Sequence, residues 1–413
     1  MHFARTLSKT AAAFFGLVLA TASHAAWDTI PQIELSASHD DNLRLLPDDL
    51  ALPPNVDGGA DSMTLDGRFR AAFAGERGNL FVEPRVRGEQ YSGEENEDLN
   101  GTDTFFRMRG DHEWSQTTLE FALDYDQQDI KDAEVTDSFP DDPDIEDPVD
   151  PDTGLLIIDE DRKRLFVAPS LDVQISERSS LVFASQVLDV SYTGAEFEGR
   201  VDFTDTEVSA GILRRVDGRN EVSARLIGSE YAADLNENVT TTFGVEGTFE
   251  RALARDWSFN LQAGVSRSDY SFLNEQLQTV DNADTSFTYQ LGFRQRTERN
   301  TINIDLSRDT SPNSGGFLTL RDELHIYVSR AMTQRLQGEI GLRGYASETL
   351  DDVVANDERD YWRMDLSMEW AMTEQLFLNG GYAFTEQQFA AESTDASSNL
   401  IWLGLVYRGR ARQ

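Results

Sequence analysis

Cysteine is absent from the 413 residues, which excludes a disulfide framework, thiol nucleophiles and sulfur-ligated zinc. Lysine occurs only at Lys9, Lys131 and Lys163, so thirty-three of the thirty-six basic residues are arginine, the cation suited to fixed multidentate pairing with carboxylates. Histidine is scarce. His2 and His24 fall in the N-terminal stretch, and His39, His112 and His325 are scattered singly, none in a nucleophile motif. No phosphate loop or dinucleotide fingerprint appears, and no cofactor is expected. Beyond residue 25 no apolar run is long enough for a membrane-spanning helix. Basic residues are outnumbered 74 to 36, and the net charge of -38 argues against nucleic acid as a partner.

What is present begins with an export pattern. Arg5 and Lys9 form a basic n-region, 11–20 is an apolar h-region, and Ser23-His24-Ala25 supplies small residues for cleavage before Ala26. Residues 1–25 therefore read as a signal peptide, and residues 26–413 as one domain.

The mature chain alternates apolar and polar residues with period two. Met63, Leu65, Gly67, Phe69, Ala71 and Phe73 keep one phase over eleven residues, a periodicity of strands and not of helices. Similar arms recur, joined by short polar turns near 76–79, 115–118, 176–179, 217–220, 252–256, 297–300, 333–335 and 373–375. Eight tight turns alternating with nine longer loops give eighteen strands with both termini on the tight-turn side. This is the pattern of a transmembrane antiparallel up-and-down β-barrel with periplasmic termini, because a bilayer forces every backbone polar group into a closed sheet. Aromatic residues near strand ends, Tyr91, Trp114, Tyr125, Tyr192, Tyr231, Trp257, Tyr270, Tyr345, Trp362, Trp370 and Trp402, suit interfacial girdles. Pro84 and Pro169 each remove a ladder donor, so local bulges are expected there. The arm 180–192 can be phased through Leu181, Phe183 and Val187 or through Val182, Ala184, Leu188, Val190 and Tyr192, which suggests a bulge near Gln186.

With the apolar phase outward, the lumen receives Arg68, Arg70, Arg85, Arg87, Arg107, Arg109, Arg225, Arg294 and Arg343 beside acidic residues including Glu83, Asp305, Glu323, Glu339, Asp365 and Glu369. Such charges pair across strands in any polar barrel. They also suit an arginine-lined passage for a polar or anionic solute, with Glu339 and Asp365 as further selectivity candidates.

Between about 130 and 161 lies an acidic loop, expected outside the cell, with thirteen acidic residues in 132–161 and four prolines opposing regular structure. Asp141, Asp142, Asp144, Asp150 and Asp152 are candidate Ca2+ ligands, although their spacing lacks a defined calcium-loop pattern.

The segment SASHDDNLRL (36–45) resembles the opening of the β-barrel porin family found with bacterial exopolysaccharide and exosortase-associated gene clusters. The turn segments ISERSSL (175–181) and MTQRL (332–336) are similar to repeats of that family. The resemblance implies an outer-membrane channel linked to polysaccharide secretion, working with periplasmic export components, and carries over no catalytic residue. The end of the chain, NLIWLGLVYRGRARQ (399–413), resembles the signal read by the barrel assembly machinery, with Gly404 followed by Tyr407, but ends in a polar tail without a terminal Phe.

The expected protein is thus a non-enzymatic channel in the Gram-negative outer membrane, in contact with its lipid and passing a polysaccharide or small polar solutes. A structural or adhesive barrel with an ion- or partner-binding acidic loop is the alternative. A barrel hydrolase would have to depend on His39 or His325.

Overall fold

The computed structural model describes residues 27–43, 45, 59–93, 96, 99–130, 160–194, 200–234, 238–273, 279–313, 315–349, 359–389 and 394–410. The expected signal peptide, 1–25, and all five candidate Ca2+ ligands lie outside the described residues.

Eighteen strands follow one another: β1 (Trp27–Asp40), β2 (Ala60–Ala74), β3 (Gly78–Tyr91), β4 (Gly101–Glu113), β5 (Thr117–Asp129), β6 (Glu160–Ser176), β7 (Ser179–Gly194), β8 (Phe203–Arg215), β9 (Asn220–Ala233), β10 (Asn238–Ala254), β11 (Trp257–Leu273), β12 (Thr279–Arg296), β13 (Asn300–Pro312), β14 (Leu318–Ala331), β15 (Leu336–Thr349), β16 (Arg359–Ala371), β17 (Leu376–Phe389) and β18 (Thr394–Arg408). Each pairs antiparallel with its sequence neighbours, and β1 closes the sheet on β18 from Gln32↔Arg408 to Asp40↔Leu400. Trp27 lies opposite Phe73, and the Arg408 N–H donates to the Gln375 carbonyl, so the first and last strands begin and end at the rim of tight turns.

Four of these turns share one device. Thr297, Thr333 and Thr373 accept from the backbone N–H groups two and three residues on, and Asp217 does the same from Arg219 and Asn220. The side-chain oxygen satisfies donors that the turn withdraws from the ladder, which is why a short polar residue opens each of them.

Alternation sorts the side chains onto two faces. Ile33, Met63, Leu65, Phe243, Phe287, Ile401 and Leu403 are each more than half exposed on the outside. The opposite phase carries Glu83, Arg85, Arg107, Asp124, Asp126, Arg162 and Arg164, all buried. The molecule is therefore apolar outside and charged inside, the reverse of a water-soluble sandwich.

Three local expectations are corrected. No register shift occurs at Pro84 or Pro169. The β2–β3 and β6–β7 ladders omit two pairs beside each proline and resume in the same register, because a missing donor breaks hydrogen bonds without adding a residue. Nor is there a bulge at Gln186. Leu181, Phe183 and Val187 keep the outward phase in unbroken pairing with β8, and Leu188, Val190 and Tyr192 belong to an apolar cluster inside the barrel; the irregularity near this hairpin falls between Gln174 and Ser176. The proposed aromatic girdle also divides. Trp114, Trp257, Trp362 and Trp370 are exposed, whereas Tyr91, Tyr231, Tyr270 and Tyr345 are buried, Tyr192 packs in the inner cluster, and Trp402 shares the phase of buried Val406.

Candidate functional site: the lumen wall

The inner face of β2 to β6 is a ladder of ion pairs built by the two-residue repeat of each strand and the register between them. Asp66 accepts from Arg85 at 2.6 Å, and Asp103 from Arg87 at 2.6 Å. Asp124 accepts both ends of the Arg109 guanidinium, at 2.8 and 2.5 Å, and Arg107 at 3.4 Å. Asp126 takes Arg164 at 2.6 Å and Arg162 at 3.3 Å, and Glu83 takes Arg70. Arg85 also lies 4.8 Å over the Phe105 ring. Fixing guanidinium planes between carboxylates and an aromatic face satisfies charges that burial alone would penalise by several kcal/mol each, of order.

A second polar bank lies on β14 to β17. Arg343 reaches Glu323 at 2.8 Å, and Arg321 stands 3.6 Å over the Tyr345 ring. Tyr345 stacks on Tyr361 with centroids 4.9 Å apart, and Arg359 donates to Gln387 at 2.6 Å. Glu339 accepts from Tyr327 at 3.0 Å and Gln337 at 2.9 Å, while Asp365 is held by Arg363 at 2.8 Å.

All nine arginines singled out from the sequence thus fall on the inward face, but they are not equivalent. Arg68, Arg85, Arg87 and Arg107 are buried in the wall. Arg109 and Arg225 keep 20% and 38% of their side chains exposed, and Arg225 is joined to Glu246 at 2.5 Å. Both line a cavity of about 500 Å³ with Phe81, Glu120, Ala168, Ala184, Gln186 and Glu207. Small alanine and serine side chains on β5 to β8 leave that space open. Arg294, at Asn303 in the register, and Arg343 remain partly exposed.

Sequence reasoning missed Arg162 and Arg164, which are among the most buried cations of the wall. Their alternation was continuous with Phe166, but Arg162 stood beside the acidic loop and read as its flank. The carboxylates that organise the ladder, Asp66, Asp103, Asp124 and Asp126, were missed for a related reason: only the register shows which arginine each one meets.

Toward the long-loop rim the lumen narrows. The tip of the β13–β14 hairpin folds inward: Asn238 donates through Nδ2 to the Gly316 carbonyl at 2.6 Å, and a Cβ at Gly316 would stand 3.4 Å from Val201 and Ala233. Leu318 packs against the cluster of Leu188, Val190, Val201, Phe203, Tyr231 and Ala233. Gly316 has φ +85°, a conformation that side-chain-bearing residues rarely adopt, which permits the tight reversal.

The histidines do not converge. His39 is exposed on the outer phase of β1, bonded to Asp61 at 2.8 Å, His112 meets Trp114 edge-on with ring centroids 4.5 Å apart, and His325 lies on the inward phase of β14. Among the described residues no group of three or more His, Asp or Glu is placed to hold a metal ion. Gly404, from the expected assembly signal, faces Asn379 and Glu34 across the closing seam, and Tyr407 is exposed at the tight-turn rim.

No protein-family model matches the chain, and no curated protein matches it. Among solved structures it is similar to the outer membrane protein opdK from Pseudomonas aeruginosa, at 10% identity over 93% of this chain and 98% of that one, TM-score 0.43. It is also similar to OccK2 (OpdF) from P. aeruginosa in complex with glucuronate, at 12% identity over 94% and 98%, TM-score 0.46. A BenF-like porin from Pseudomonas fluorescens is matched at 10% identity over 94% and 99%, TM-score 0.45.

Proposed function

We propose that this chain is a non-enzymatic outer-membrane channel for small polar solutes, in which Arg109, Arg225 and Arg294 bias passage toward anions. One observation carries the reading: eighteen strands close into a sheet that is apolar on its outer face and charged on its inner face. Lipid favours that outer face, and a solvated lumen favours that inner one. The buried arginines of the β2–β6 ladder hold the wall in shape. The exposed ones set the field that a solute meets.

Reconstitution into planar bilayers tests this. Open channels are expected, with an anion preference that falls when Arg109, Arg225 and Arg294 are replaced by Gln; absence of conductance from correctly folded protein would overturn it.

The finer reading, polysaccharide export with periplasmic partners, rests on the resemblance of 36–45 and the turn segments, and the barrel itself adds nothing to it. Its test is secretion of polysaccharide by a deletion strain, where unchanged secretion rejects the assignment. A second reading, a structural or adhesive barrel, is favoured by the inward hairpin tip and its apolar cluster, which narrow the long-loop half. It predicts folded protein that does not conduct.

A further inference from the structure

The barrel wall is interrupted between β12 and β13. The β11–β12 ladder runs from Trp257↔Gln295 to Leu273↔Thr279, and β13–β14 runs from Asn300↔Arg330 to Pro312↔Leu318. Between them, β12 and β13 pair only from Arg296↔Thr301 to Tyr289↔Arg308. Continuing that register would set Phe287 against Thr310 and Thr285 against Pro312, and among the described residues neither pair forms. The inward turn of the β13–β14 tip accounts for the break, since it draws β13 away from β12 toward β8–β10.

The donors along the break are satisfied in an unusual way. The Arg296 N–H bonds toward β11, at the Asp256 carbonyl, so the odd-numbered N–H groups of β12 point to β13. Two of these, Ala283 and Thr285, are bonded by the side chains of Asn282 and Asp284, at 2.9 and 2.7 Å. Across the break, the Thr310 N–H is bonded by Asp309 at 2.7 Å. Each lip therefore supplies its own acceptor. Addition of a strand from another chain would have to displace these side chains, which blunts the edge against pairing.

Both carboxylates at the lips are exposed, as is Asn282. Asp309 faces the lumen, within electrostatic range of Glu246 and Arg225, and Asp205 and Glu207 feel it in turn. On the outer side, the neighbouring cation Arg308 is neutralised by Asp322 at 3.0 Å and Glu348 at 2.7 Å. The break lies beyond the paired apolar positions Leu291, Phe293, Ile304 and Leu306, on the side away from the tight turns, where Phe287 is the last outward aromatic and Thr285, Thr310 and Pro312 follow it. An unpaired edge needs water, which it meets on the lumen side at Asp284 and Asp309.

We infer that the break is a lateral entrance to the lumen for small cations, opening beside the inward hairpin tip and lined by Asp284 and Asp309. It rests on the channel reading and adds a second path of opposite charge preference to the arginine-lined one.

The chain has no cysteine, so single thiols are unique probes. Asp284→Cys and Asp309→Cys proteins, recorded in planar bilayers, receive a membrane-impermeant trimethylammonium methanethiosulfonate. A partial, stepwise loss of current, reversed by reductant, is expected at both positions. Ile304→Cys, outward on the paired stretch of β13, is expected to lose none. Arg109→Cys monitors the axial lumen: block there with no effect at 284 and 309 overturns the lateral entrance and leaves the channel reading standing. Equal loss at Ile304→Cys, or thiols at 284 and 309 that never react, also overturns it. Current absent from every version rejects the channel and the entrance together. Should either cysteine protein fail to fold, Asp284→Asn with Asp309→Asn provides the second measure, a shift of reversal potential toward anions, and an unchanged potential is the overturning result.

Discussion

Arg164 donates through Nε to Asp126 at 2.6 Å, and neither side chain is more than 2% exposed. The same carboxylate accepts Arg162 at 3.3 Å, so one aspartate serves two cations that stand two residues apart on β6. Removing the acceptor leaves two guanidinium groups buried beside a neutral amide. Asp126→Asn is therefore expected to destabilise the barrel by about 3–5 kcal/mol, the usual cost of removing one member of a buried ion pair. A urea-unfolding series in detergent, followed by the electrophoretic shift between folded and unfolded barrel, measures it, and an unmoved midpoint would contradict the account.

Burial separates the arginines of the wall into two functional classes. Arg107 is 2% exposed, and Arg109 is 20% exposed and lines the cavity. Arg109→Gln is expected to shift the reversal potential toward cations, and Arg107→Gln to lower stability while leaving the reversal potential nearly unchanged. Finding the larger selectivity change at Arg107 would remove the distinction.

The closing seam depends on a missing side chain. A Cβ at Gly404 would meet Asn379 Oδ1, Glu34 Oε1 at 2.9 Å and Ser36 Cβ at 3.2 Å, just where Asn379 donates to Glu34 at 2.9 Å. Gly404→Val is expected to cost about 1–3 kcal/mol, typical of overpacking, and to lower the yield of folded barrel. Asn379→Ala in the same chain should restore part of the yield. No restoration would place the defect elsewhere than at this contact.

Turn chemistry gives a smaller effect. Thr333→Val removes an acceptor shared by the N–H groups of Arg335 and Leu336, and should lower stability by about 0.5–1.5 kcal/mol. In the turn at 217–220 the backbone N–H of Arg219, with Asn220, holds the Asp217 carboxyl below its ordinary range. A carboxyl so depressed contributes stability above its unfolded value, about 3.9, and that contribution disappears as the pH falls through the lower folded value. NMR titration of Asp217 in micelles checks the direction; a value at or above that of an unfolded chain would refute it.

Much of this was readable in the chain. The two-residue alternation around Met63 to Phe73 and its equivalents, with eight polar turns, determined eighteen strands, their short and long connections and the sorting of apolar from charged residues, because side-chain direction in a strand depends only on parity. The inward placement of all nine arginines follows from the same parity. Where parity was ambiguous, between the two phases of 180–192, sequence alone could not choose, since Leu188 and Val190 are as apolar as an outward face requires.

Tertiary structure decided what parity cannot express. Which carboxylate each arginine meets, such as Asp126 for Arg162 and Arg164, depends on register between strands more than thirty residues apart. The inward fold of the β13–β14 tip depends on Asn238 at the start of β10 reaching the carbonyl of Gly316, a residue 78 positions away in the chain. The end of the β12–β13 ladder at Tyr289↔Arg308 is its consequence. Alternation is local, fixed residue by residue along one strand, whereas pairing, closure and the break in the wall are relations between strands, and only the assembled barrel specifies those.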